Sequence, residues 1–381
     1  MEEEKDYSLI KYRIIKYSVI VLVIAFIIVA GVYMYMHRNR NYSSWKVLHT
    51  MEFSMETKGN YMQFADGIIR YTTDGVSYIS KGKELWNKSI SVQKPVIDIC
   101  ENYIAIAEQG SNNMSIMHKS GSQLDITMTY PIISVEVSAQ GIVAANLDDG
   151  EANYIEVRDK EGEQIAIGRT VLQGDGYPVD ISISNDGTKV MASYLSVDNG
   201  TTESHVVFYN YSAVGQNEVD RIVGGFNQYK TSMVPKVDFI AEELAVAYGT
   251  DMFTIYKIKQ KPSILKEEKL EKKVESVFYG NGNTGLVLAN DTEGKPYLVK
   301  TYNEKGKAML NYETDYAYKG MLFAEDFVMM YNENSCRLLS ENGEVRFETT
   351  FDMMIDEMYA VSEDRYIIIS STAAYEIQLE Q

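Results

Sequence analysis

The stretch from residue 177 to residue 194 constrains the fold more than any other part of this chain. Val179, Ile181 and Ile183 alternate with polar residues, the pattern of a strand with one buried face. Residues 185–187, Asn-Asp-Gly, tolerate the positive φ angles that a tight turn needs. Val190 then begins a second apolar run. The stretch therefore predicts two antiparallel strands joined by a tight turn.

This strand–turn–strand unit recurs along the chain, and several copies open at a proline. Pro95, Pro131, Pro178 and Pro235 are 36, 47 and 57 residues apart. After each return strand comes a third strand, and usually a glycine turn and a fourth. Four short strands in each unit of about 40 to 50 residues are the pattern of a propeller blade. Stacking such sheets in a ring buries both faces of every sheet.

Counting the units predicts eight four-stranded blades over residues 45–381, with seven as the alternative if the irregular unit at 60–90 is not a blade. The last unit, from Met354, has only three strands. An isolated strand at 45–53 can supply the fourth and close the ring. The one candidate helix beyond the N-terminal region, at 264–274, can equally be an outer strand. The fold class is therefore all-β, a β-propeller.

Residues 18–36 contain no charge and predict a transmembrane helix. Nineteen helical residues at ~1.5 Å each span roughly the ~30 Å core of a bilayer. This divides the chain into a tail at 1–17, the helix, a juxtamembrane linker at 37–44 and the propeller domain. A cleaved signal peptide is the rival interpretation, but its apolar region would be shorter and residues 29–31 form a poor cleavage site.

The charges that flank this helix predict its orientation. The tail has four basic residues, whereas only Arg38 and Arg40 follow the helix closely. The positive-inside rule then favours a single-pass signal-anchor protein with a cytoplasmic N-terminus and an extracytoplasmic propeller. The tail's acids and bases balance, so the net charge of −18 falls on the remainder of the chain. Such a domain repels a phosphate backbone, which makes nucleic acid an unsuitable partner.

The unit at 179–192 resembles the start of a WD40-type blade. Residues 82–86, Gly-Lys-Glu-Leu-Trp, look like a blade turn of the pyrroloquinoline-quinone-like propellers. As a whole, one anchor followed by one ring, the chain resembles uncharacterised bacterial membrane-anchored propeller proteins, a family with no assigned activity. The resemblance covers residues 45–381 as architecture.

The sequence predicts no catalytic, cofactor-binding or metal-binding residues. The four histidines have no paired spacing for zinc, and the two cysteines lie in different repeats. The glycine-rich residues 280–285 lie between two strands, so they predict a hairpin and not a phosphate loop. No Ser/His/Asp set stands out, although the many carboxylates leave a glycosidase or lyase pair open.

The candidate partner-binding residues lie in the longest repeat, whose insertion spans 195–234. Phe226 and Tyr229 are aromatic groups in a Gly- and Asn-rich setting, and Asp198 and Glu203 add negative charge nearby. Because propeller strands pack between blades, recognition is expected of loops such as this one. The alternative is that both rings belong to the core.

These observations predict a membrane-anchored binding or scaffold module for a protein or cell-envelope ligand. The alternative is an enzyme that acts on a wall polysaccharide or peptide in the central funnel. Inward-facing carboxylates with raised pKa values at one mouth of the ring would favour the enzyme. A face with exposed Tyr and Phe would favour the module.

Overall fold

The computed structural model describes residues 15–32, 40–53, 59–198 and 200–381. The chain divides into two compact units, Met1–Trp45 with Leu379–Gln381, and Lys46–Gln378. In the first unit, helix α1 spans Ile15–Val32 and is long and apolar enough to cross a membrane. It begins three residues before the predicted start at residue 18, and residues 33–36 lie outside the described part of the chain.

The second unit is a propeller, and its described strands form eight four-stranded sheets. The first four blades have the following strands. Blade 1 has β2 (Asn60–Phe64), β3 (Gly67–Tyr71), β4 (Gly75–Ser80) and β5 (Lys83–Ser89). Blade 2 has β6 (Pro95–Cys100), β7 (Tyr103–Glu108), β8 (Asn113–His118) and β9 (Gln123–Thr127). Blade 3 has β10 (Ile132–Val137), β11 (Val143–Asp148), β12 (Asn153–Arg158) and β13 (Gln164–Thr170). Blade 4 has β14 (Tyr177–Ile183), β15 (Lys189–Asp198), β16 (Thr201–Asn210) and β17 (Ile222–Phe226), with short 3-10 turns at Gly215–Asn217 and Val219–Arg221.

The other four blades complete the ring. Blade 5 has β18 (Lys236–Ala241), β19 (Leu244–Tyr248), β20 (Met252–Ile258) and β21 (Pro262–Lys269). Blade 6 has β22 (Val274–Gly280), β23 (Asn283–Thr292), β24 (Lys295–Tyr302) and β25 (Ala308–Thr314). Blade 7 has β26 (Gly320–Ala324), β27 (Phe327–Tyr331), β28 (Ser335–Leu339) and β29 (Val345–Thr350). Blade 8 has β30 (Glu357–Ala360), β31 (Arg365–Ile369), β32 (Ala373–Glu380) and, from the other end of the propeller domain, β1 (Ser44–Glu52).

Blade 8 closes the ring as the strand count predicted. Its sheet order is β1-β32-β31-β30, so the isolated N-terminal strand supplies the fourth strand of the last blade. The Phe53 N–H donates to the Thr372 carbonyl oxygen at 2.8 Å. The prediction of eight blades is therefore confirmed, and the seven-blade alternative is wrong.

Apolar side chains between neighbouring blades form the core. At the closing interface Ile68 and Ile79 of blade 1 pack with Ile367 and Ile369 of blade 8. Comparable clusters join other neighbouring blades. Burying one such side chain contributes about 1.5 to 3 kcal/mol. The sheets are thus held by contacts between blades, so an open ring would leave two apolar faces in water.

The hairpin that opens blade 4 shows why these residues turn where they do. Gly187 has φ 72°, a left-handed conformation that glycine adopts without a steric penalty. The Gly187 N–H donates to the Ser184 carbonyl oxygen at 2.8 Å. The predicted hairpin at 280–285 is also present, since β22 ends at Gly280 and β23 begins at Asn283. The candidate helix at 264–274 is wrong, and the alternative of an outer strand is confirmed: β21 exposes Glu267 and Lys269, whereas Lys266 and Glu268 are half-buried.

Candidate functional site

The first strand of each blade lines a central channel. First strands of consecutive blades, such as β6 with β10 and β14 with β18, contact one another around the ring. Four successive first strands each have a carboxylate at this level: Asp98, Glu136, Asp180 and Asp238. Together with Lys236 they form what we call the acidic arc, which spans blades 2 to 5.

Two of these carboxylates are fixed by the backbone of a neighbouring first strand. The Val137 N–H donates to Asp98 Oδ2 at 2.7 Å. The Val237 N–H donates to Asp180 Oδ2 at 2.9 Å. Because each bond links one blade to the next, the carboxylates have defined positions in the channel and are not free surface groups.

Lys236 lies between the two carboxylates of blades 4 and 5. Its Nζ is 3.5 Å from Asp180 Oδ2 and 3.3 Å from Asp238 Oδ2. Ser182 Oγ donates to Asp238 Oδ1 at 3.4 Å. One ammonium group therefore neutralises part of the charge of four carboxylates.

Enclosure by the ring shifts the pKa values of the arc. Burial raises the pKa of Asp98 to about 6, although the Val137 N–H opposes the shift. Burial also raises the pKa values of Glu136, Asp180 and Asp238, and the neighbouring carboxylates add to the rise at Glu136. Burial alone would lower the pKa of Lys236, but the surrounding acids raise it. The carboxylates of the arc are thus harder to ionise in the folded protein than in water.

Glu136 differs from the other three carboxylates of the arc in its hydrogen bonding. Its side chain is half-buried and makes no hydrogen bond or ion pair with any described residue. The other three carboxylates each accept at least one hydrogen bond. The arc therefore has one carboxylate whose hydrogen-bonding capacity is unused.

The first strands of blades 6, 7, 8 and 1 line the adjoining cavity of about 470 Å³. The aromatic and Met side chains of its wall form what we call the aromatic arc, and Glu325 and Glu357 also line the cavity. The aromatic arc consists of Tyr279, Met321, Phe323, Tyr331, Met358 and Tyr359. The two arcs meet at Tyr279, whose pKa is raised by burial and by the charge of Asp238. On the side of the cavity formed by blades 1 and 8, Gln63 Nε2 donates to the Ala360 carbonyl oxygen at 2.5 Å and links the two blades. The channel thus has one wall rich in carboxylates and one wall rich in aromatic and Met side chains.

The partner-binding residues predicted from the sequence do not form a common exposed surface. Tyr229 is fully buried, and its hydroxyl is hydrogen-bonded to that of Tyr256. Phe226 is half-buried and packs on Phe208 and Tyr256. The expectation that Tyr229 offers an exposed ring is therefore wrong, because the Gly-rich segment folds it into the interface between blades 4 and 5. Glu203 is half-buried on β16, and the side chain of Asp198 lies outside the described residues.

Sequence reasoning missed the acidic arc, although a signal was present. Asp98, Asp180 and Asp238 each follow a blade-opening proline by two or three residues. Equivalent positions in consecutive blades lie at one level of a ring. Within the described part of the chain, no group of three or more His, Cys, Asp or Glu side chains has the arrangement of a metal site.

The comparison with protein families matches residues 38–379, which includes both arcs, to a family of unknown function. The chain belongs to this family, DUF5711. Curated proteins gave no match.

Solved structures support the propeller fold of this DUF5711 chain. The WD40 domain of SCAP from fission yeast is 12% identical, with a TM-score of 0.53, and the match covers 90% of this chain and 92% of that one. Chaetomium thermophilum Sqt1, solved bound to the N-terminus of ribosomal protein L10, is 9% identical with a TM-score of 0.51 and coverage of 89% and 100%. At this level of identity the similarity shows the fold alone.

Proposed function

We propose that this protein is a membrane-anchored binding module that takes the cationic group of a ligand in its central channel. The ligand class is an amine or guanidinium attached to an apolar body, such as a basic side chain of a partner protein or cell-envelope peptide. The observation that supports this most strongly is Glu136, a carboxylate that has no hydrogen bond or ion pair with the residues that the structure describes and that lies beside three other carboxylates.

Electrostatics favour a cation over any other ligand. Four carboxylates share one ammonium group, and enclosure in the channel weakens the screening that water provides. A cation beside Glu136 would relieve the repulsion among these acids and complete the hydrogen bonding of its carboxylate. An anion would add to the repulsion. Charge-assisted hydrogen bonds of this kind contribute about 1.5 to 3 kcal/mol each.

The aromatic arc would hold the apolar part of the same ligand. Its Met and aromatic side chains adapt to irregular apolar shapes, and aromatic faces also attract cations. A cavity of about 470 Å³ is within the range of pockets that bind small molecules or a few side chains. The combination selects for an amphiphilic cation over a simple inorganic ion.

Helix α1 would hold the module at a membrane, with the propeller outside the cytoplasm. Its length and composition support an anchor, and the four basic residues of the tail support a cytoplasmic N-terminus. Protease added to intact protoplasts should then remove the propeller. Protection until the membrane is lysed would reverse the orientation.

The binding test uses a matched pair of peptides and the full chain in detergent. The probe is the N-acetylated tripeptide amide Phe-Lys-Phe, and the control is the same peptide with acetyl-lysine, which has no charge. We expect the lysine peptide to bind at pH 7.5 and the acetylated one to bind at least about tenfold more weakly. Glu136→Gln should weaken the lysine peptide about 10- to 100-fold, the effect of losing one charge-assisted hydrogen bond. Equal binding of both peptides would contradict the proposal.

The second candidate function is an enzyme that acts on a wall polysaccharide in the channel. The raised pKa values of the inward-facing carboxylates favour this function. A carboxylic acid with a pKa near that of Asp98, about 6, can donate a proton to a leaving group at neutral pH. In this case the full chain should release reducing ends from a wall polysaccharide between pH 5 and 7, and Asp98→Asn should abolish the release. If no reducing ends are released over this pH range, the enzyme function is excluded.

A further inference from the structure

A second recess lies between the outer parts of blades 3 and 4, away from the channel. Its volume is about 180 Å³, and residues of β12, β13, β15 and β16 line it together with the loop at 171–176. It shares no residue with the acidic arc. Most of its blade 4 wall comes from the insertion at 195–234. That insertion therefore does form a concave surface, although Phe226 and Tyr229 do not line it.

Gly168 contributes to the open space of the recess. It pairs with Ile155 on the neighbouring strand, so both residues lie on the face of blade 3 that packs against blade 4. A Cβ atom added at Gly168 would meet nothing within 4 Å. The missing side chain therefore leaves open space in an interface that is elsewhere filled.

The blade 4 wall is made of aromatic rings whose polar atoms are incompletely paired. The Tyr194 and Tyr209 hydroxyls are 2.7 Å apart, so one of the two protons is used between them and the other remains. The Tyr211 hydroxyl makes no hydrogen bond within the described part of the chain. His205 stacks on Tyr194 with ring centroids 5.2 Å apart. The wall thus consists of aromatic rings with hydroxyl groups at their edges, and Tyr194 and Tyr209 are almost fully buried in it.

The rim adds hydrogen-bond acceptors. Asp175 Oδ2 accepts from the Val171 N–H at 2.9 Å, which leaves its second oxygen available. Asp220 has neither a hydrogen bond nor an ion pair with any described residue. Asp220 and Arg221 both have left-handed backbone conformations, φ 51° and 59°, which are rare for residues other than glycine. The turn that places Asp220 at the rim is therefore a strained one.

The chemistry of these groups limits the classes of ligand that fit the recess. Asp175 and Asp220 outnumber Arg169 among the charged residues of the lining, so an anion is disfavoured, and a simple cation would leave the tyrosine hydroxyl protons without acceptors. A purely apolar ring would leave both sets of polar atoms unpaired, which costs binding energy when water is displaced. A neutral group that both donates and accepts hydrogen bonds satisfies the donors and the acceptors together.

We propose that this recess binds one pyranose ring, either as a free monosaccharide or as a residue of a glycan. A cavity of about 150 Å³ accommodates a six-membered ring such as benzene, so the volume fits one ring and not two. The ring's C–H face packs on the aromatic and aliphatic wall, and its hydroxyl groups bond to the tyrosines and to the two aspartates. This inference is independent of the ligand proposed for the channel.

The test is saturation-transfer NMR on the full chain in a detergent without a sugar headgroup. The probes are glucose, galactose, mannose and N-acetylglucosamine, each as the monosaccharide and as a short oligosaccharide. We expect at least one sugar to bind. Gly168→Leu should fill the recess and lower the affinity by at least about tenfold. Gly225→Leu is the matched control, because its Cβ also meets nothing within 4 Å and it lies outside the recess.

Tyr211→Phe tests the hydroxyl separately and should lower the affinity about 3- to 10-fold, the effect of one neutral hydrogen bond. Binding of a monosaccharide indicates that a free sugar or a glycan end suffices, whereas binding of the oligosaccharide alone indicates a residue within a glycan. Binding that survives Gly168→Leu in a protein with an unchanged Tm would overturn the proposal. The proposal would also be overturned if none of the sugars binds. Binding of the aromatic probe p-cresol in that case would show that the recess takes an aromatic ring and not a sugar.

Discussion

Replacing Asp98 by asparagine should make the protein more stable at neutral pH and leave it unchanged in acid. Asparagine keeps an acceptor oxygen for the Val137 N–H and resembles the protonated carboxyl group. The folded protein raises the pKa of Asp98 to about 6 from an ordinary value of 3.8. Between these pH values the folded state holds a proton that the unfolded chain has lost. Stability therefore falls as pH rises through this window and stays lower above pH 6.

The size of the effect follows from the pKa difference. About two pKa units correspond to a loss of up to about 3 kcal/mol in the wild-type protein above pH 6. Asp98→Asn does not undergo this loss. With an unfolding entropy of about 2.1 cal/mol/K per residue, the 333 residues of Lys46–Gln378 convert it to about 4 °C in Tm.

The assay is thermal unfolding of the full chain at pH 4 and pH 7.5. We expect the Tm of Asp98→Asn to exceed that of the wild type by about 4 °C at pH 7.5 and to match it at pH 4. Asp125→Asn is the control on the same blade. Hydrogen bonds from Ser115 and Gln123 lower the pKa of Asp125, so its replacement should act in the opposite direction. A difference for Asp98→Asn that does not grow with pH, or that becomes negative, would refute the reasoning.

Three further predictions concern the fold. Tyr229→Ala should lower the free energy of unfolding by about 3 to 5 kcal/mol because it empties a core site, and Tyr229→Phe by much less; equal Tm values for wild type and Tyr229→Ala would show that the ring is not core. A chain that begins at Lys58 lacks β1 and should melt well below one that begins at Asn41, and identical melting would contradict ring closure by β1. Asp66 is 2.6 Å from Lys119 Nζ and its pKa is lowered by hydrogen bonds from Lys119 and Tyr78, so it stabilises the protein above pH 4 and this contribution is lost in acid. Asp66→Asn should therefore cost about 1 kcal/mol at pH 7 and less at pH 3, and a cost independent of pH would count against the ion pair.

The architecture could be predicted from the sequence because it repeats. Each blade needs the same alternation and the same turn, so errors in one unit are corrected by the others. The three strands after Met354 even indicated that residues 45–53 complete the last blade. Ring closure could be predicted because an open ring would expose apolar sheet faces to water, which lowers the stability of any propeller.

The candidate site could not be assembled in the same way. Asp98 and Asp238 are far apart in the sequence, and their placement in one channel depends on how many blades close the ring and at what level each first strand begins. The acid shortly after three of the four opening prolines was a visible signal, but the same alternation also explains a polar face in contact with water. The prediction that Tyr229 is exposed was wrong for a different reason. The amino-acid composition of a segment indicates its flexibility but does not say which of its side chains are buried.

The most direct test of cation binding in the channel is the number of protons released when the lysine peptide binds at pH 6. Calorimetric titrations in two buffers with different ionisation enthalpies give this number. A cation beside the acidic arc lowers the raised pKa values of its carboxylates, so wild-type protein should release protons and Glu136→Gln should release fewer. Binding without proton release, or release unchanged by Glu136→Gln, would place the ligand elsewhere and contradict the proposed function.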